Sequence, residues 1–123
     1  MLEWILDIHP NQYNWITNGS KTIDVRIHNP DKSVNTNYNL MTEEEHIRFR
    51  VSDCNSLVSE KYPIMFVTHY NSIRDMFNHE DLKSLFPHID TIEEGINLYY
   101  EFSDYKKREQ EYGVYAIGLG EPV

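Results

Sequence analysis

The sequence predicts an α+β domain, a small and mostly antiparallel, barrel-like sheet with helices inserted between its strands. Three observations carry this. The chain of 123 residues opens and closes on period-two alternation of apolar and polar residues, the pattern of half-buried strands. Between those ends, helical periodicities with their own start and stop signals are interleaved with further strand segments. No repeat or low-complexity stretch interrupts a length suited to one modest core, so residues 1–123 read as a single domain.

Taken in order, Leu2, Trp4, Leu6 and Ile8 alternate with Glu3, Ile5, Asp7 and His9, which gives a first strand. Pro10 suits the first position of a helix, where its missing N–H costs nothing. Tyr13 and Ile16 share a face of that helix before Gly19 ends it. Thr22 to Arg26 alternates again as a second strand. Residues 28–42 are polar and read as loop, with Asn29-Pro30-Asp31-Lys32 as a turn. Ile47, Phe49 and Val51 alternate with Arg48 and Arg50 in a third strand with a basic outer face. Residues 53–61 read as a turn or irregular edge.

Residues 62–69 are apolar at consecutive positions (Ile64, Met65, Phe66, Val67), which predicts a strand buried on both faces. Ile73, Met76, Phe77, Leu82, Leu85 and Phe86 mark two short helical turns closed by Pro87. Thr91-Ile92-Glu93-Glu94 is a capping box that starts a helix with Ile92, Ile96 and Tyr99 on one face. A charged helical segment covers 103–111, and Gly113 releases the chain into a last strand with Tyr115, Ile117 and Leu119 inward. Terminal strands would otherwise be unpaired edges, so the first and last strands are expected to pair. The expected core contains Leu2, Trp4, Leu6, Ile23, Val25, Phe49, Ile117 and Leu119.

A net charge of −9 opposes non-specific attraction to nucleic acid or anionic membrane, so any nucleic-acid contact has to be a local basic pocket. The lone Cys54 forms no intramolecular disulfide and supplies no metal-ligand spacing, which points to a reducing compartment. The histidines are scattered, and His79-Glu80 lacks the partner histidine of a zinc helix, so no metal and no cofactor is expected. Residues 2–8 are too short and, with Glu3 and Asp7, too charged for a signal peptide. No apolar run reaches membrane-spanning length. The expectation is a soluble, acidic, cytoplasmic chain. Its Asn, Tyr and Ile content fits an AT-rich phage or viral genome, in which case the compartment is the host cytoplasm.

The chemistry concentrates in Gly19-Ser20-Lys21-Thr22-Ile23-Asp24-Val25-Arg26. Strand side chains alternate between faces, so Ile23 and Val25 face one side and Thr22, Asp24 and Arg26 the other, with Lys21 at the mouth of the row. A hydroxyl, a carboxylate and a guanidinium in one row can bind a base, a phosphate or a carbonyl; an Asp24–Arg26 pair on a wet sheet face is the plain alternative. A desolvated Lys21 could act as a base, with Asp24 orienting it or attacking as a carboxylate. Arg48 and Arg50 could extend a phosphate-contacting patch, and Tyr100 and Tyr112 could stack on bases.

Three segments resemble the ASCH domains, small barrels of the PUA-like superfamily. Residues 13–26 are similar to the family's aromatic–x–x–Ile–x–x–Gly–x–Lys–Thr–Ile–acidic–x–Arg signature. Ile47 to Val51 corresponds to its middle strand. Tyr99-Tyr100 with Tyr112-Gly113-Val114-Tyr115-Ala116-Ile117 is similar to its closing motif. Two features depart from the pattern. The place of the family's Gly-Asp reads Met41-Thr42-Glu43-Glu44-Glu45-His46, and residues 28–46 and 53–90 are unmatched.

The resemblance implies binding of RNA or a nucleotide. Some similar bacterial members are amidohydrolases that remove the acetyl group from N4-acetylcytidine. In those, a lysine matching Lys21, a threonine matching Asp24 and a glutamate ahead of the following helix carry the reaction. Here Asp24 stands in the threonine's place, and the glutamate's place falls near His88 to Asp90.

Three functions follow as expectations. The first is a module binding RNA or a modified nucleoside through Lys21, Thr22, Asp24 and Arg26, with Arg48, Arg50, Tyr100 and Tyr112 around them. The second is a small nucleoside amidohydrolase using Lys21 and Asp24. The third is an acidic protein-interaction or nucleic-acid-mimicking domain. The site is expected to be one cleft roofed by residues 72–90.

Overall fold

The computed structural model describes residues 3–32, 36–52, 56–102 and 104–123; Leu2, Cys54 and Ser103 lie outside them. Alternation at the N-terminus produces strand β1 (Glu3–Ile8), with Trp4, Leu6 and Ile8 buried and Glu3, Ile5 and Asp7 exposed. Helix α1 (Pro10–Thr17) starts on Pro10 as expected. It ends where Gly19 takes φ +86°, a left-handed conformation that glycine adopts without steric cost. Strand β2 (Ile23–Arg26) follows.

The polar loop after β2 holds a 3₁₀ turn (Tyr38–Leu40), and its Thr36, Tyr38 and Met41 are buried. Strands β3 (His46–Val51) and β4 (Tyr62–Tyr70) precede helices α2 (Ile73–His79), α3 (Leu82–Leu85), α4 (Ile92–Tyr100) and α5 (Tyr105–Tyr112). Ser72, Asp81 and Thr91 cap α2, α3 and α4 by accepting from backbone N–H groups one turn on. Strand β5 (Val114–Leu119) closes the described chain order.

The five strands form one sheet in the order β1-β3-β4-β5-β2. β1 runs parallel to β3 along its whole length, and the other pairings are antiparallel. The expected pairing of first and last strands does not occur. Both edges of β5 are occupied by β4 and β2, and β1 is satisfied by β3, where Trp4, Leu6 and Ile8 stand level with Ile47, Phe49 and Val51. Alternation gives each strand its buried face but does not choose its neighbour.

Among the described residues β1 and β2 therefore have no second strand partner, and the sheet does not close into a barrel. A side chain spans the seam instead. The Arg26 guanidinium donates to the Asp7 carbonyl oxygen at 3.0 Å.

Two apolar clusters flank the sheet. One packs Ile23, Val25, Val114 and Ala116 against α2, α3 and α4. The other fills the concave side with Trp4, Leu6, Ile47, Phe49, Tyr62 and Ile117. β4 is a correction to the expected doubly buried strand. Tyr62 and Ile64 are buried, but Met65 is 55% exposed where the pairing with β5 slips between Ile64 and Phe66, and Phe66 and Val67 are only half-buried, against the helical and the opposite cluster respectively. Tyr115 and Leu119 are likewise half-buried rather than core.

Candidate functional site

β2 is buried on both faces, which strand alternation alone does not reveal. Ile23 and Val25 meet the helical layer, so Asp24 and Arg26 turn into the concave side of the sheet, at the seam where β1 and β2 fail to pair. Asp24 is only 2% exposed and Arg26 17%. Arg26 Nε donates to Asp24 Oδ2 at 2.6 Å and Nη2 to Oδ1 at 3.4 Å, the forked geometry of an arginine–carboxylate pair. The plain reading of this pair as a wet surface bridge is thus excluded.

A cavity of about 470 Å³ opens over the pair. Its wall includes Asp7 and His9 from the end of β1, Asp24 and Arg26 from β2, Tyr99 from α4, and Tyr105 and Arg108 from α5. Arg108 Nη1 donates to the Ile27 carbonyl at 3.0 Å, and its guanidinium lies 4.8 Å from the centre of the Tyr105 ring. Its buried Nε–H finds no acceptor among the described residues. Burial pushes the phenols of Tyr38, Tyr99 and Tyr105 above their ordinary range, so all three hydroxyls stay protonated beside Asp24 and Arg26. Arg26, Arg108 and Lys32 balance Asp7, Asp24 and Asp104 on this wall, a neutral recess in a chain of net charge −9. Asp104 sits at the rim with φ 66°, a left-handed conformation that aspartate tolerates better than most residues.

Lys21 belongs to the same cluster but not to the cavity wall. It is 1% exposed, its ammonium donates to the Leu85 carbonyl, and it lies 5.3 Å from the centre of the Phe86 ring. Burial drops its pKa from 10.5 to about 8; the Asp24 carboxylate opposes that fall and Arg26 adds to it. Thr22 is not brought in. It is exposed, in the link before β2, and together with Lys21 it lines a separate depression of about 830 Å³ beside Gly19, Met65 and Gly120, so the predicted site is split between two recesses. The roof also differs from expectation. The turns α2 and α3 cover the helical cluster, while Tyr99, Phe102, Tyr105 and Arg108 close over Asp24 and Arg26.

Four further candidates are held elsewhere. Arg48 Nε pairs with Glu3 at 2.6 Å and Arg50 Nε with Asp7 at 2.8 Å, so β1 neutralises the basic face of β3. The Tyr100 hydroxyl donates at 2.7 Å to Glu109, whose other oxygen accepts the Ile73 N–H at 2.6 Å; this pair fastens α5 to the start of α2. The Tyr112 ring stands edge-on to His28 at 4.8 Å. Asp90 pairs with Lys83 at the surface, whereas His88 stacks on Trp15 at 4.5 Å. Arg108 escaped the sequence reading because it lies on a helix whose composition is that of a solvated face. Among the described residues no group of His, Cys, Asp and Glu could hold a metal ion, and no helix is long and apolar enough to cross a membrane.

No family model matches the chain, and no curated protein matches it. Solved structures that are similar to it include two of proteins with no named function. The crystal structure of hypothetical protein PH0355 superposes with a TM-score of 0.79 at 24% identity, covering 99% of this chain and 100% of that one. The solution NMR structure of protein PF0455 from Pyrococcus furiosus gives 0.69 at 26% identity, covering 99% and 98%. What these likenesses show is a shared α+β fold along nearly the whole of each chain.

Proposed function

We propose that this chain is an ASCH-like, PUA-related domain that binds RNA or a modified nucleoside in the seam cavity, and that it binds rather than cleaves. The observation that carries this is the buried Asp24–Arg26 pair on the wall of a cavity whose Arg108 Nε–H is unpartnered. A buried ion pair is weak evidence for stability, since apolar residues of similar volume often serve as well. Its position on a recess wide enough for a nucleoside speaks for recognition. Asp24 can accept from an exocyclic amino group, and Arg26 and Arg108 can donate to ring or phosphate oxygens.

Amide hydrolysis fits the arrangement less well. Attack by Asp24 on an acetylamide would form a mixed anhydride, an unfavourable exchange without strong oxyanion stabilisation. Lys21 does not line this cavity, and its ammonium is held by the Leu85 carbonyl. We expect negligible deacetylation of N4-acetylcytidine. The test is a binding titration beside a turnover assay, with nucleosides, modified nucleosides and short RNAs, on wild type, Arg26→Ala and Arg108→Gln, each checked for folding by circular dichroism. Binding weakened in both variants without turnover supports the proposal. Robust turnover, or a flat response across the whole panel, overturns it and leaves the acidic surface as the functional feature.

A further inference from the structure

The seam cavity is not isolated. A second recess of about 560 Å³ adjoins it, and His9, Gln12 and Phe102 line both. The far wall of this second recess is aromatic. Trp15 stacks on His88 at 4.5 Å and stands edge-on to Phe86 at 6.3 Å, while His9 stacks on Phe102 at 5.6 Å. The rings continue without a break from one recess to the other. Phe86 meets Tyr99 at 5.0 Å, Tyr99 lies parallel to Tyr105 at 6.0 Å, and Tyr105 meets Phe102 at 5.1 Å.

Resting on the nucleoside reading of the seam cavity, we infer that the ligand spans two nucleotides, the first base over Asp24 and Arg26 and its neighbour stacked in the Trp15–His88 recess. The two recesses differ in chemistry as such a ligand requires. The seam cavity carries the charged groups that read a base edge, whereas among the described residues the second is walled mainly by rings, with Glu101 as its one charged carboxylate and no lysine or arginine. Ring stacking accepts any base because every base presents a π-face. The linking phosphodiester would cross the shared edge at His9 and Gln12, the start of α1. The first turn of that helix carries no acidic residue; Pro10 has no N–H and the Gln12 N–H is taken by the Asn11 side chain at 2.9 Å, so the Gln12 side-chain amide, not the backbone, is the donor offered to the phosphate. His88 is exposed and the Trp15 ring half-buried, leaving both accessible to a base.

The test compares the common ribonucleosides, their monophosphates and the ribodinucleoside monophosphates by titration, read by calorimetry and tryptophan fluorescence. Trp4 is buried with its indole N–H on Glu45, so a ligand-dependent signal reports Trp15, and Trp15→Phe should abolish it. The best dinucleoside monophosphate should bind at least about tenfold more tightly than its parent nucleoside, within what one stacked base contributes. It should also quench Trp15. His88→Ala should return its affinity toward the nucleoside's while leaving nucleoside binding unchanged.

Equal affinity for nucleoside and dinucleotide overturns the inference but leaves the seam site standing. So does a gain reproduced by the monophosphate alone, or one indifferent to His88→Ala with a silent Trp15. Binding by none of the probes overturns the inference and the seam reading together.

Discussion

Replacing Lys21 by methionine should stabilise this protein at neutral pH, and the gain should fade as the pH rises. Lys21 is buried and its pKa falls from 10.5 to about 8, chiefly through desolvation. A displacement of that size corresponds to about 3 kcal/mol against the charged form in the folded state. Methionine keeps the length and flexibility of the stem but removes the donor to the Leu85 carbonyl, a loss of about 1–2 kcal/mol. The net expectation at pH 7 is a gain of about 1–2 kcal/mol, the remainder of those two terms.

The sign of the pH dependence follows from which state holds the proton. Below pH 8 both states are protonated and wild type carries the full penalty. Between about pH 8 and 10.5 the unfolded chain holds a proton that the folded chain has released, so wild-type stability rises with pH. The buried tyrosines act oppositely. Their raised pKa values remove stability above about pH 10, but they do so equally in both proteins. Urea unfolding of wild type and Lys21→Met at pH 7, 8.5 and 9.8 measures the difference. A variant destabilised at pH 7, or a difference that stays constant across the series, would refute the reasoning.

Three other substitutions test the rest of the framework. Asp24→Asn strips Arg26 of its buried counter-charge and should cost about 3 kcal/mol in urea unfolding, with most of it recovered when Arg26→Met is added. Gly113 has φ +72°, and a Cβ there would collide with the His69 ring and meet the Tyr70 carbonyl oxygen at 2.5 Å. Gly113→Ala should therefore lose about 2 kcal/mol or more, read as a lowered thermal midpoint. Arg48→Ala and Arg50→Ala remove partly exposed pairs with Glu3 and Asp7, and should leave ligand affinity in the titration unchanged.

The strands and helices were legible because their periods are written in single residues. Trp4, Leu6 and Ile8, or Ile47, Phe49 and Val51, declare a buried face wherever the strand is placed. Pairing was not legible, since the alternation of β1 fits β5 as well as it fits β3, and register is decided by what else occupies each edge. The separation of Ile23 and Val25 from Asp24 and Arg26 followed directly from strand alternation. That the Asp24 face is interior did not, because it depends on the sheet curling until Arg26 reaches Asp7. Thr22 was misplaced because it precedes the strand whose alternation was applied to it. Arg108 was hidden in a charged helix, and only the docking of α5 beside the seam brings it to the wall of the Asp24 cavity.

The claim that a ligand occupies the seam is tested most directly by nuclear magnetic resonance of the arginine Nε–Hε groups during a nucleoside titration. Four of them report distinct environments. The Arg26 Nε–H is paired with Asp24, the Arg108 Nε–H has no acceptor among the described residues, and those of Arg48 and Arg50 are tied to β1 carboxylates. The account predicts that the Arg108 resonance moves most, Arg26 moves with it, and Arg48 and Arg50 stay in place. Saturable binding that shifts Arg48 or Arg50 while leaving Arg26 and Arg108 unmoved would contradict it.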